Sequence, residues 1–428
     1  MPSTPSTLTG RTLWIPRMSH SAARLFAAVF RGCGIDSRAC EITTPRAMEL
    51  GLLHTGGEEC YPTQITLGDF LSVLETHSPE TTAFMMPTAE GPCRFGQYSH
   101  YLRTRLEELG HHDIPILSPS SKDGYDAFGE ASTTSPLTMV RMLWRGIVSG
   151  DILRKMLLKT RPYETEPGRA DKAFEESLHR MEAALEAESR SPKQQLRAMV
   201  DTLEGCRDLF RAVPANYQKG KPLIGVVGEI FCRLNAFSNH DACRTIEAAG
   251  GECWLSDITE WVWYTNWGAE RNLRRRGKRF SLRMFGTKLK HALQRRDEHA
   301  LLAPFADDFA GYEEPHDIAR EILEPAETYL PARGCIGEMV LSAGKAAYLH
   351  TKGADGIIDI SPFGCMNGII TEAIYPDLSA DHANMPIRNF YFDASSSTLE
   401  RDLEIFMELA RTYQGHKPFP RRYPASFS

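Results

Sequence analysis

Short apolar runs alternate with amphipathic stretches in two separate blocks of this sequence, and that rhythm leaves few folds open. In the first block Thr12-Leu-Trp-Ile15 reads as a strand, and residues 21–30 carry apolar side chains at helical spacing up to Gly32 and Gly34. Thr82-Ala-Phe-Met-Met86 reads as a short buried strand closed by Pro87. Residues 97–109 are amphipathic and stop at Gly110, and Ile114-Pro-Ile-Leu117 is the next strand. The second block opens with the strand Leu223-Ile-Gly-Val-Val227. A helix from a Ser238-Asn239 cap to Ala249 follows, and Gly250-Gly251 leads into the strand Glu252-Cys-Trp-Leu255. Strands at 356–360 and 386–392 and a helix over 398–413 complete this block. Strands separated by helices build parallel β-α units, because a parallel connection needs a crossover. The expected fold class is α/β, with two Rossmann-like parallel-sheet domains.

Between the blocks, residues 135–213 show no strand. Residues 137–158 and 170–213 have helical periodicity and many i,i+4 charge pairs. The chain therefore divides into an N-terminal α/β domain (1–125), a helical connection (126–218) and a C-terminal α/β domain (219–428) with a helical insertion at about 260–331. A length of 428 residues suits two or three domains. No run approaches 18 uninterrupted apolar residues, so no transmembrane helix is expected. The stretch from Met1 to Gly10 lacks the basic and apolar regions of a secretory signal. A soluble, cytoplasmic protein is expected.

The formal net charge of −6 hides a split. Arg271 to Arg296 holds eleven Lys and Arg and no acid, which leaves −17 on the remainder. One reading is a solvated helix face. The other is a contact for an anionic partner, or for the phosphates of a ligand such as coenzyme A. Neither nucleic acid nor membrane is an expected partner, since the chain is acidic overall and carries no RRM, KH or helix-turn-helix signature.

Ten cysteines in a reducing compartment need a reason other than disulfides. None forms a CxxC pair, so zinc ribbons, ferredoxin runs and thioredoxin-type sites have no support. Most buried cysteines are simply small apolar residues. Three of these ten lie in loops that could offer a ligand. Cys60 sits in Thr55-Gly-Gly-Glu-Glu-Cys-Tyr-Pro62, Cys93 in Gly91-Pro-Cys-Arg-Phe-Gly-Gln-Tyr98, and Cys365 in Ser361-Pro-Phe-Gly-Cys-Met-Asn-Gly368. The last two follow predicted parallel strands, and open α/β sheets bind ligands at those carboxyl ends. A helix N-terminus beside Cys93 is expected to lower its thiol pKa. Three distant thiolates suit an iron–sulfur cluster, zinc or copper, while structural zinc prefers four ligands. Three unrelated buried thiols remain the alternative.

The surroundings of these cysteines resemble the 2-hydroxyacyl-CoA dehydratase superfamily, in particular its stand-alone, activase-associated dehydratase-like branch. Gly91-Pro-Cys-Arg-Phe-Gly-Gln-Tyr98 resembles the central motif of that branch, and Pro362-Phe-Gly-Cys-Met366 its C-terminal cluster motif. Leu143-Trp-Arg-Gly-Ile147 and Arg161-Pro-Tyr-Glu164 resemble its helical segment. Gly225-Val-Val-Gly-Glu-Ile230 through Arg233-Leu-Asn235 resembles its second-half strand and loop. Gly337-Glu338, Gly344-Lys345 and Gly353-Ala-Asp-Gly356 resemble the approach to the last cysteine. The likeness runs from about residue 10 to 412.

The resemblance implies Rossmann-like domains with a [4Fe–4S] cluster in the cleft between them, held by Cys60, Cys93 and Cys365. It implies a separate ATP-dependent activase that supplies a low-potential electron. That electron would drive radical dehydration of a 2-hydroxyacyl-CoA through a ketyl radical of the thioester. An activase-driven reductase of small molecules, or a non-catalytic electron-transfer or scaffold subunit, are the other roles it leaves open. A second dehydratase-like subunit or a homodimer mate would be further partners. A double-cubane cluster, as in a relative, would need six thiolates, and the other seven cysteines lack matching loops.

Cys335, in Arg333-Gly-Cys-Ile-Gly337, is a possible fourth ligand. Cys232 and Cys253 read as core, and Cys33, Cys40, Cys206 and Cys243 as structural. Glu229 and Glu338 each follow a glycine at an element boundary and could cap a helix or act as acid or base, capping being favoured. Arg94, beside Cys93, could offset cluster charge or pair with an acid. No Walker A motif is present: Gly220-Lys221 is followed by Pro222, and Ala215 stands where the first glycine belongs, so ATP hydrolysis is left to a partner.

Overall fold

The structure is a computed structural model that describes residues 8–89, 91–119, 134–187, 191–332, 337–395 and 399–427. It contains two four-stranded sheets, and every strand pair in both is parallel. The first is built from β1 (Thr12–Ile15), β2 (Ser37–Ala39), β3 (Thr82–Met85) and β4 (Ile116–Leu117), in the order β2-β1-β3-β4. The second is built from β5 (Leu223–Gly228), β6 (Glu252–Leu255), β7 (Gly356–Pro362) and β8 (Ile387–Phe392), in the order β6-β5-β7-β8. The two orders are the same, with the first strand of each unit in an interior position.

Each sheet is buried on both faces, as parallel sheets are. In the first, Leu13, Ile15, Ala83 and Met85 face one cluster, while Trp14, Phe84 and Met86 face another. In the second, Leu223, Val227 and Ile357 face one side, and Ile224, Val226, Ile358 and Ile360 the other. That two-residue alternation is the strand periodicity acting on an apolar run.

Around the first sheet lie α1 (His20–Gly32), α2 (Pro45–Leu53), α3 (Tyr61–Thr76) and α4 (Tyr98–Glu108). Ser19 caps α1 by accepting from the Ala22 N–H at 3.4 Å. Neither α2 nor α3 was legible as a helix. The first nine residues of α3, Tyr61 to Asp69, are all buried, so no polar stripe marks it in the sequence. It crosses α2 so closely that a Cβ on Gly68 would stand 1.9 Å from the Ala47 carbonyl oxygen.

The connection is helical, as expected: α5 (Pro136–Thr160), α6 (Arg169–Glu186) and α7 (Pro192–Arg211). The single helical pattern at 170–213 is two helices, the second opened by a capping box of Ser191 and Gln194. α5 packs against α1 on one side and β6 on the other, bridging the two sheets. The second sheet carries α8 (Ile230–Leu234), α9 (Ala242–Ala248), α10 (Ile258–Arg275), α11 (Leu282–Leu302), α12 (Glu324–Ala326), α13 (Glu338–Thr351), α14 (Met366–Asp381) and α15 (Leu399–Gln414). α9 begins three residues beyond Asn239, whose side-chain oxygen accepts from the Ala242 N–H at 3.1 Å.

A buried ion network braces this half. The Lys345 ammonium is fully sealed, 2.9 Å from Glu260 and in contact with Glu314. Lys155 joins Glu314 to Asp257, and Arg154 joins Asp257 to Asp151. α5, α10 and α13 are thereby linked through charges that water cannot screen. No described helix is long and apolar enough to cross a membrane.

Candidate functional site

In an open parallel sheet, the crevice forms where connections leave in opposite directions from neighbouring strands. Here those points lie between β1 and β3, and between β5 and β7. Cys93 follows β3, Glu229 directly follows β5, and Cys365 follows β7. Gly228 shapes the β5 exit: its φ is +113°, and an added Cβ would stand 2.1 Å from the Ile360 carbonyl oxygen. Only glycine fits there.

The three sequence-selected cysteines all start helical turns. Cys60 is the N-cap of α3, Cys365 is the N-cap of α14, and Cys93 precedes a 3-10 turn (Arg94–Gln97) that runs into α4. None of the three turns has a side-chain cap by the hydrogen-bond geometry. The Phe95 N–H is directed at the Cys93 sulfur, and those of Asn367 and Gly368 at the Cys365 sulfur. Cys93 is exposed, and Cys60 and Cys365 are half-buried. In contrast, Cys33, Cys40, Cys206, Cys232 and Cys253 are sealed, and Cys243 is half-buried.

Two contacts stitch the Cys60 and Cys93 loops together. Arg94 donates to the Glu58 carbonyl at 2.8 Å, and the Tyr101 hydroxyl on α4 donates to Glu59 at 2.6 Å. Arg94 thus acts on the backbone of the neighbouring loop and forms no ion pair among the described residues. The Cys60 loop also reaches the other sheet, because Tyr61 packs in one cluster with Phe231 and Cys232.

Two carboxylates underlie these loops, Glu229 half-buried and Glu338 buried. Glu229 accepts from the N–H groups of Phe231 and Cys232 at 3.0 and 2.8 Å, which caps α8. Glu338 accepts from the Ile230 N–H at 2.8 Å and from the Asn367 amide at 3.1 Å, so it ties α8 to the turn carrying Cys365. Burial raises both, and the Glu229 charge pushes Glu338 further, to about 8. Arg233 lies against the pair and opposes the shift, and its guanidinium is anchored to the Gly228 carbonyl. The role of Asn367 carried no sequence signal, since its partner Glu338 lies on a separate helix.

Cys93 is shifted opposite to the sequence expectation. Burial raises Cys93, and the Phe95 N–H only partly offsets the charges of Glu338, Glu229 and Cys60. Burial pushes Cys365 up to about 12, reinforced by Glu229 and Glu338. Helix N-termini are present at both, but burial and two nearby acids outweigh them. Glu229 and Glu338 thus act on both Cys93 and Cys365, and Cys60 acts on Cys93. Among the described residues no three His, Cys, Asp or Glu side chains are grouped to hold a metal ion. Cys335 lies outside the described residues. No protein-family model matches the chain, and no curated protein matches it.

Proposed function

We propose that this chain is an iron–sulfur protein that receives low-potential electrons from an ATP-dependent activase and uses them in the radical dehydration of a 2-hydroxyacyl-CoA. The observation that carries the reading is the common setting of Cys60, Cys93 and Cys365. Each begins a helical turn without a side-chain cap, Cys93 and Cys365 share the field of Glu229 and Glu338, and Cys60 acts on Cys93. Soft thiol donors with N–H groups directed at sulfur suit a [4Fe–4S] cluster. The cluster, when bound, would supply one-electron chemistry at low potential.

The chain's own residues do the rest. Glu229 and Glu338 hold the α8 and α14 turns by their backbone and amide hydrogen bonds. They are positioning residues in this scheme. Phe363, Met366 and Ile369, exposed by 71%, 38% and 53%, surround Cys365 with apolar surface suited to a docking activase.

Anaerobic purification with iron, sulfide and EPR analysis tests the cluster. Iron and sulfide in cluster amounts, lost together with the visible absorbance in Cys93→Ser, are expected. Iron near zero in anaerobically prepared protein overturns the reading. With activase, ATP and reductant present, loss of water from an acyl-CoA panel is the expected activity. Electron uptake without dehydration would leave an electron-transfer role.

A further inference from the structure

The basic segment forms the end of a helical hairpin. α10 finishes at Arg275, the Lys278 N–H closes back on the Leu273 carbonyl, and Ser281 caps α11 through the Met284 N–H. Four large apolar side chains crowd this end in the open. Phe280 is 94% exposed, Leu282 91%, Phe285 69% and Leu289 52%. Leu282, Phe285 and Leu289 are spaced i, i+3, i+7, so they line one face of α11, while Met284 is buried on another.

The cations divide by partner. Three have partners on the hairpin itself: Arg271 lies over the Trp267 ring, Arg274 pairs with Glu270, and Arg295 lies over Trp263. Around the tip, Arg275, Arg276, Lys278, Arg279, Arg283 and Lys288 form no ion pair among the described residues. The solvated-face reading explains the cations but leaves the four apolar residues without a purpose.

We propose that this hairpin end binds an anionic membrane surface. Apolar side chains on a protruding tip can enter the boundary between headgroups and acyl chains, and the surrounding cations then meet lipid phosphates. A nucleic acid would engage the cations and Phe280, but it offers no hydrocarbon for Leu282 and Leu289. The contact is peripheral and needs no membrane-spanning helix. It departs from the sequence expectation because exposure of four apolar residues can be read only from the fold. The inference is independent of the iron–sulfur reading.

The test is co-sedimentation of the full chain with phosphatidylcholine vesicles, with and without about one-third phosphatidylserine. Binding to the anionic vesicles alone, weakened by salt, is expected. Replacing Phe280, Leu282 and Phe285 together by Ser should weaken it at least about tenfold, since all three are solvent-exposed and dispensable to the core. Leu137→Ser, at a residue 85% exposed outside the hairpin, should bind like the parent chain. Absence of binding to anionic vesicles, or full binding by the triple variant, overturns the proposal. So does tighter binding to single-stranded RNA than to vesicles, or self-association that disappears in the triple variant.

Discussion

Replacing Glu338 by Gln should stabilise the cluster-free protein, and should do so only above mildly acidic pH. Glu338 titrates at about 8 in the folded chain against 4.5 for an ordinary glutamate, because it is buried beside Glu229. Below pH 4.5 both folded and unfolded chains carry the proton, and Glu338 contributes no pH dependence. Between 4.5 and 8 the unfolded chain releases it and the folded chain retains it, so stability falls as pH rises. Above 8 both are ionised and the penalty is complete. At 1.36 kcal/mol per pH unit, that span sets a ceiling of about 5 kcal/mol. Gln cannot ionise, and the local hydrogen bonds can accept it. Its oxygen can still accept from the Ile230 N–H. Asn367, whose own side-chain oxygen lacks a partner, can turn its amide to accept from the new NH₂. Urea midpoints of parent and Glu338→Gln should therefore coincide near pH 4.5 and diverge by at least about 2 kcal/mol by pH 9, with Gln the more stable. A flat difference across that range, or a less stable Gln variant at pH 9, would refute the argument that a destabilising carboxylate pair sits beneath the cysteine loops.

Other outcomes follow from the same packing. Lys345→Met should cost about 3–5 kcal/mol in urea unfolding, because Glu260 would stay buried without its cation and Glu314 would keep Lys155 alone. Adding Glu260→Gln should recover part of that loss, and additive losses would deny the coupling. Gly228→Ala should destabilise by at least about 1–3 kcal/mol from backbone strain alone. Gly286→Ala, in the interior of α11 with open space at its Cβ position, should instead stabilise by up to about 1 kcal/mol, and matching signs would contradict the local geometry. Reconstitution of the anaerobic apo-protein with ferrous iron and sulfide should release protons in weak buffer, because the Cys365 thiol titrates at about 12 and must lose its proton to bind metal. Metal uptake without proton release would show that these thiols were already ionised.

Much of the architecture is written locally. A run such as Leu223 to Val227 is apolar on both faces, which an isolated or half-exposed strand would not tolerate. The helices that went unread, α2 and α3, are the ones whose surroundings erase periodicity: α3 starts fully sheathed and so looks like neither a surface helix nor a strand. The three loop cysteines were also legible, because glycine and proline neighbours mark turns wherever they occur. Their titration was not. A helix N-terminus can be anticipated from sequence, whereas Glu229 and Glu338 reach Cys93 and Cys365 only through the meeting of β5, α13 and α14.

The sequence by itself determined the alternation of strands and helices, the parallel α/β class, the all-helical connection and the loops that expose thiols, since these depend on hydrophobic period and turn chemistry over a few residues. Only the tertiary structure decided which charges are sealed together, which thiols share a field, and that Phe280, Leu282, Phe285 and Leu289 face water. Burial and long-range electrostatics depend on segments hundreds of positions apart, and no local pattern encodes that distance.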